Sequence, residues 1–134
     1  MRVDKMTLAA LEATLHSYET GSTVEIPVVG MLAAEPETLH QKAQQLASML
    51  TAAGIEVEIV ATEGRVGGGS VPNHILPSYA VAFTGEANAL EETLRLGVTP
   101  IIGRIHDGKY LLDVRTLFEC DFPAIADAVK GAGL

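Results

Sequence analysis

Tryptophan is missing from this 134-residue chain, and Phe and Tyr together supply only 4 % of it, so the core has to be built from Leu, Ile, Val and Ala. One cysteine, Cys120, leaves no partner for an internal disulfide. That fits a reducing compartment, and with no His or Cys close by in sequence it reads as a buried or inert thiol rather than a metal ligand. There is no apolar run of about 18 residues, and the N-terminus has no basic-then-apolar signal pattern. The expectation is a cytoplasmic protein with no membrane partner. Positive charge is scarce: nine Lys and Arg stand against seventeen Asp and Glu, a net charge of −8. Nucleic-acid binding needs clustered cations to displace counterions from phosphates, so direct nucleic-acid binding by this chain is expected to be weak.

What is present fits one domain over residues 1–134, long enough to bury roughly two-thirds of its unfolded surface without cofactor or disulfide. From Asp4 to Glu19, Leu8, Leu11, Leu15 and Tyr18 recur at helical spacing behind an Asp4 cap, and Gly21 stops the helix. The stretch from Val24 to Val29 reads as extended or irregular, because Pro27 has no amide donor and disfavours helix at Ile26. A second helix starts near Pro36, carries Leu39, Ala43, Leu46 and Leu50, and ends at a Gly54 cap. Ile55, Val57 and Ile59 alternate with Glu56 and Glu58 as a strand with one wet face. Tyr79 to Phe83 reads as a strand covered on both faces, and Glu86 to Leu96 as a short helix with Leu90 and Leu94 inward. Asp107-Gly108 supplies the positive φ angles of a two-residue hairpin turn. Asp121 caps a last helix carrying Ile125 and Val129. The order of elements predicts an α+β two-layer domain, with about four mainly antiparallel strands covered by helices.

Three glycines precede a serine in Val66-Gly67-Gly68-Gly69-Ser70-Val71-Pro72, a loop whose backbone can approach another group closely and offer amides to an anion. Read alone, such a run without a following helix is more often a turn between strands. Arg104, Asp113 and Arg115 alternate along the late hairpin and read as cross-strand charge pairs. His16, His40, His74 and His106 have no metal-ligand spacing, so neither metal nor catalysis is assigned to them. Lys5, Lys42, Lys109 and Lys130 all read as solvated.

The glycine loop, the hairpin Ile101 to Thr116 and the opening Arg2-Val3-Asp4-Lys5-Met6-Thr7-Leu8 form an ordered set. That set resembles the C-terminal domain of the bacterial selenocysteine synthases, the L-seryl-tRNA(Sec) selenium transferases. The resemblance runs from Arg2 to about Ala128 and departs at Phe118-Glu119-Cys120. It implies the small C-terminal domain of a fold-type I enzyme dependent on pyridoxal phosphate (PLP). Such an enzyme converts seryl-tRNA(Sec) to selenocysteinyl-tRNA(Sec) with selenophosphate, through a dehydroalanyl intermediate. It further implies a cytoplasmic homo-oligomer in which this domain closes one side of the active site, beside a larger PLP domain. Arg2 matches an arginine lining that site, whose planar fork of donors suits a selenophosphate oxyanion. A second arginine of the pattern falls three residues ahead of it, before this chain's first residue. Gly68, Gly69 and Ser70 match the family's loop, with Ser70 as a positioning group. None of the four lysines matches the motif that anchors the cofactor, so the 134 residues alone are expected to bind no PLP and to be inactive. Two alternatives are a small domain of a related PLP lyase acting on an amino sugar or amino acid, and a free-standing, non-catalytic interaction domain.

Overall fold

The fold was analysed on a computed structural model, which describes residues 3–65 and 75–133. Backbone contacts divide it into two compact units, Met1–Ala34 and Glu35–Leu134.

The first unit opens with α1 (Lys5–Glu19). The Asp4 carboxylate accepts the amides of Met6 at 2.9 Å and Thr7 at 3.0 Å, as an N-cap should, and these bonds hold its pKa below the ordinary carboxylate value. The segment expected to be extended is instead a 3-10 turn (Thr23–Glu25) followed by α2 (Pro27–Ala33). Only Ile26 keeps the extended backbone that a residue before proline prefers, with φ −79 and ψ 113. Pro27 takes the first helical position, where its missing amide costs nothing and its fixed φ favours the helix.

The second unit begins with α3 (Pro36–Ala52), whose inner stripe of Leu39, Ala43, Leu46 and Leu50 is buried. Beyond its end the Gly54 amide donates to the Thr51 carbonyl at 2.9 Å, and the Ile55 amide to the Leu50 carbonyl at 3.0 Å. This pair of bonds is a Schellman closure. It claims the Ile55 amide for the helix, which is why β1 (Val57–Arg65) starts two residues after the alternation does. β2 (Ile75–Phe83), α4 (Ala87–Arg95), β3 (Arg104–His106), β4 (Lys109–Asp113) and α5 (Phe122–Gly131) follow. The sheet order is β1-β2-β4-β3, and every neighbouring pair is antiparallel. The α+β fold expected from the sequence is the one observed.

Register decides the two faces of the sheet. Val57, Phe83, Tyr110 and Ile105 lie opposite one another across the four strands, as do Ile59, Val81 and Leu112. These share the helix-covered face: Tyr79, two residues before Val81, meets the His40 ring of α3 at 4.7 Å. Their buried members Val81, Phe83, Tyr110 and Leu112 form the core with Leu90 and Leu94 of α4 and Phe122, Ile125 and Val129 of α5, each large buried side chain stabilising the fold by about 1.5–3 kcal/mol, while Ile105 on the edge strand stays exposed. α5 begins after Asp121 as expected, but without the expected side-chain cap. Pro123 removes an amide that such a cap would accept, and the Asp121 carboxylate accepts the Phe118 amide at 3.2 Å instead.

Two features of the hairpin fix how it seats on the core. Asp107 and Gly108 adopt φ +50 and +73, the pair of left-handed residues that the turn requires. Tyr110 lies wholly buried beside Phe83, its ring centroid 5.9 Å away, and donates its hydroxyl to the Ile101 carbonyl at 3.2 Å. Gly103 makes room for it, since a Cβ there would overlap the Tyr110 ring and stand 2.6 Å from the Leu111 carbonyl oxygen. Gly103→Ala is therefore expected to cost about 2–3 kcal/mol in urea unfolding, as overpacked core substitutions do. Burial pushes the Tyr110 pKa up from 10.0 to about 12. Because the folded value lies above the unfolded one, the stability this phenol contributes is complete below pH 10 and is lost as pH rises through about 12. Tyr110→Phe should lower stability at pH 7 by about 1 kcal/mol and remove a fall on the order of 1–2 kcal/mol between those pH values, read from urea unfolding at each pH.

Candidate functional site

The second sheet face carries small side chains at its centre. Ala80 and Ala82 of β2, with Leu111 of β4, are buried and pack with the half-buried Val60 of β1. β1 and β3 are the two edges of the sheet, three strand spacings or about 14 Å apart were it flat. Yet Arg104 of β3 donates to the Thr62 hydroxyl and, at 3.3 Å, to the Glu63 carbonyl, both on β1. Lys109 of β4 likewise pairs with Glu58 of β1. The sheet is coiled enough for long side chains to bridge its face, and the small floor residues let them lie low. The result is an open polar groove of about 580 Å³, within the size range of small-molecule sites.

At one end of the groove lies a buried polar network. Ser78, 2 % exposed, donates its hydroxyl to Asp113 Oδ1 at 2.7 Å. The same oxygen accepts the Arg115 amide at 3.1 Å, and Asp113 Oδ2 lies 3.7 Å from Arg104 Nη2. Arg104 and Asp113 thus form the ion pair expected from sequence. Arg115 does not join it as a surface strand residue: it sits in a 3-10 turn (Val114–Thr116) after β4, is buried, and donates to the Pro77 carbonyl at 2.6 Å. Ser78 lies opposite Thr62 of β1, three residues along β2 from the Arg65–Ile75 pair. Ser78 carried no sequence signal. Its role comes from the β2–β4 register, which places it beside Asp113.

Of the residues the sequence proposed for binding, Arg2, Gly68, Gly69 and Ser70, together with Gly67, lie outside the described residues. The lysines can be placed. Lys5 and Lys130 are exposed, and Lys109 pairs with Glu58. Lys42, read as solvated, is half-buried instead: its Nζ donates to the Leu117 carbonyl, and burial lowers its pKa against the opposing pull of Glu119 and Asp121. Each amine is therefore either exposed or engaged with a partner. Cys120, expected as a buried or inert thiol, is exposed on the 3-10 turn Glu119–Asp121. Among the described residues no three His, Cys, Asp or Glu side chains converge on a metal position, and no helix is long and apolar enough to cross a membrane.

In class, this is an α+β domain with an open antiparallel sheet, helix-covered on one face and bearing a polar groove on the other. Residues 1–118 match the sequence profile of the L-seryl-tRNA selenium transferases, and the chain belongs to that family. It is 45 % identical over 124 residues to an L-seryl-tRNA(Sec) selenium transferase of Desulfotalea psychrophila, covering 87 % of this chain and 27 % of that protein. A protein of the same description from Aquifex aeolicus is 36 % identical over 134 residues, covering 97 % and 30 %. One from Clostridium botulinum strain Hall is 39 % identical over 137 residues, again covering 97 % and 30 %. The chain thus spans under a third of the length of the curated relatives it matches.

The network gives a direct test. Asp113→Ala strands the buried Ser78 hydroxyl and the Arg115 amide, and should cost about 2–3 kcal/mol in urea unfolding. Asp113→Asn, which keeps an acceptor at Oδ1, should cost about half as much.

Proposed function

We propose that this chain is the C-terminal domain of a selenocysteine synthase, a cytoplasmic, PLP-dependent homo-oligomer that converts seryl-tRNA(Sec) to selenocysteinyl-tRNA(Sec) with selenophosphate as selenium donor. The observation that carries this reading is the similarity to three transferases of that description along nearly the whole chain, each more than three times its length. The cofactor belongs to the larger remaining portion, because the four lysines here are solvent-facing or engaged. Most of the tRNA phosphate contacts belong there too, since a segment of net charge −8 repels a polyanion. On this reading the 134 residues alone are inactive.

Arg2 is the residue assigned to the donor. Its guanidinium presents a planar fork of N–H groups to an oxyanion, and Gly68, Gly69 and Ser70 add backbone amides and a hydroxyl that position the same ligand. In the complete enzyme, Arg2→Ala should slow single-turnover selenium transfer tens- to several-hundred-fold, the loss of a charge-assisted contact worth about 2–4 kcal/mol in the transition state. PLP content, followed by its absorbance, should not change. Arg2→Lys should rescue only in part, since it keeps the charge and loses the fork. Near wild-type turnover in Arg2→Ala would remove Arg2 from the site. A complete wild-type protein that transfers no selenium to seryl-tRNA(Sec) would overturn the reading as a whole.

A further inference from the structure

We propose that the apolar stripe of α1 is the docking surface for the larger remaining portion of the same enzyme, at an apolar face of that portion rimmed by Lys and Arg. The inference rests on the reading above that such a portion exists. α1 has fifteen residues and not one is buried. Leu8, Leu11, Leu15 and Tyr18 are each 52–54 % exposed, although at about 100° per residue they fall within an arc of roughly 80°. A helix of this length is marginal in water by itself and takes its stability from packing such a stripe. Monomeric proteins seldom leave large apolar side chains contiguous in solvent.

Two observations select the occupant. At about 100° per residue Glu12 and Glu19 fall together on one flank of the stripe, and both are exposed, so the matching surface carries positive charge on that side. The chain spans only 27–30 % of its relatives, so most of the polypeptide they share with it lies outside these residues and is available to cover the stripe.

The test is amide hydrogen exchange on α1 in two preparations, the 134-residue chain and the complete enzyme, with sedimentation run alongside. In the complete enzyme α1 amides are expected to exchange at least about ten-fold more slowly than in the 134-residue chain. The double substitution Leu11→Asp with Leu15→Asp should abolish that difference while residues 35–134 keep their protection. Ser17→Asp, which puts the same charge on the opposite side of α1, should leave the difference intact. Three results would overturn the proposal: equal protection of α1 in a monomeric 134-residue chain, meaning that residues 35–134 cover the stripe; protection that appears only as that chain dimerises, meaning that a second copy does; and no protection in the complete enzyme. The PLP absorbance and selenium transfer of that same enzyme preparation report separately on the function proposed above.

Discussion

The two-residue period of β2 is the constraint on which the rest of the second unit depends. One set of its side chains, Tyr79, Val81 and Phe83, faces the helices, while the other, Ser78, Ala80 and Ala82, faces the groove. Because β2 lies between β1 and β4, both hairpins inherit that division through their register. A shift of one residue would put the aromatics into the groove and the alanines against α3, so register and hydrophobic pattern enforce each other. The small set does as much as the large one. The Cβ-sized Ala80 and Ala82 at the middle of the floor leave room for Arg104 and Lys109 to lie across the sheet and reach β1.

Those ties determine the chemical character of the groove. Its cations are largely answered within the chain, Lys109 by Glu58 and Arg104 by Asp113. Exposed pairs of this kind contribute little to stability, whereas the buried bond from Ser78 to Asp113 has more at stake, because an unmatched hydroxyl would carry its full desolvation cost. A groove whose charges are already matched is suited to holding strands in place. The anion-binding role proposed for this chain falls instead to Arg2 and the glycine loop, which the family resemblance singles out.

The helices of this chain treat their apolar stripes differently. In the second unit α3, α4 and α5 all bury their stripes. α1 does not. A helix with a good N-cap and an exposed apolar stripe is well specified locally, and the docking proposed for α1 would supply the packing that its stripe lacks.

The sequence by itself determined the elements whose signals are local. The Asp4 cap, the α3 stripe ending at Gly54 and the Asp107-Gly108 turn are each specified by a few neighbouring residues, and each forms where it was expected. The ordered set of weak motifs was likewise enough to place the family. Local reasoning went astray where one residue had two uses: Pro27 was read as keeping Val24 to Val29 extended or irregular when it starts a helix, and Ile55 as opening a strand when its amide closes α3. Only the tertiary structure could decide that Ser78 meets Asp113 thirty-five residues on, that Arg115 is buried, that Lys42 reaches the Leu117 carbonyl and that Gly103 yields its space to Tyr110. Each depends on strand register or helix docking, which arise from burying the whole core at once, and no window of neighbouring residues contains that information.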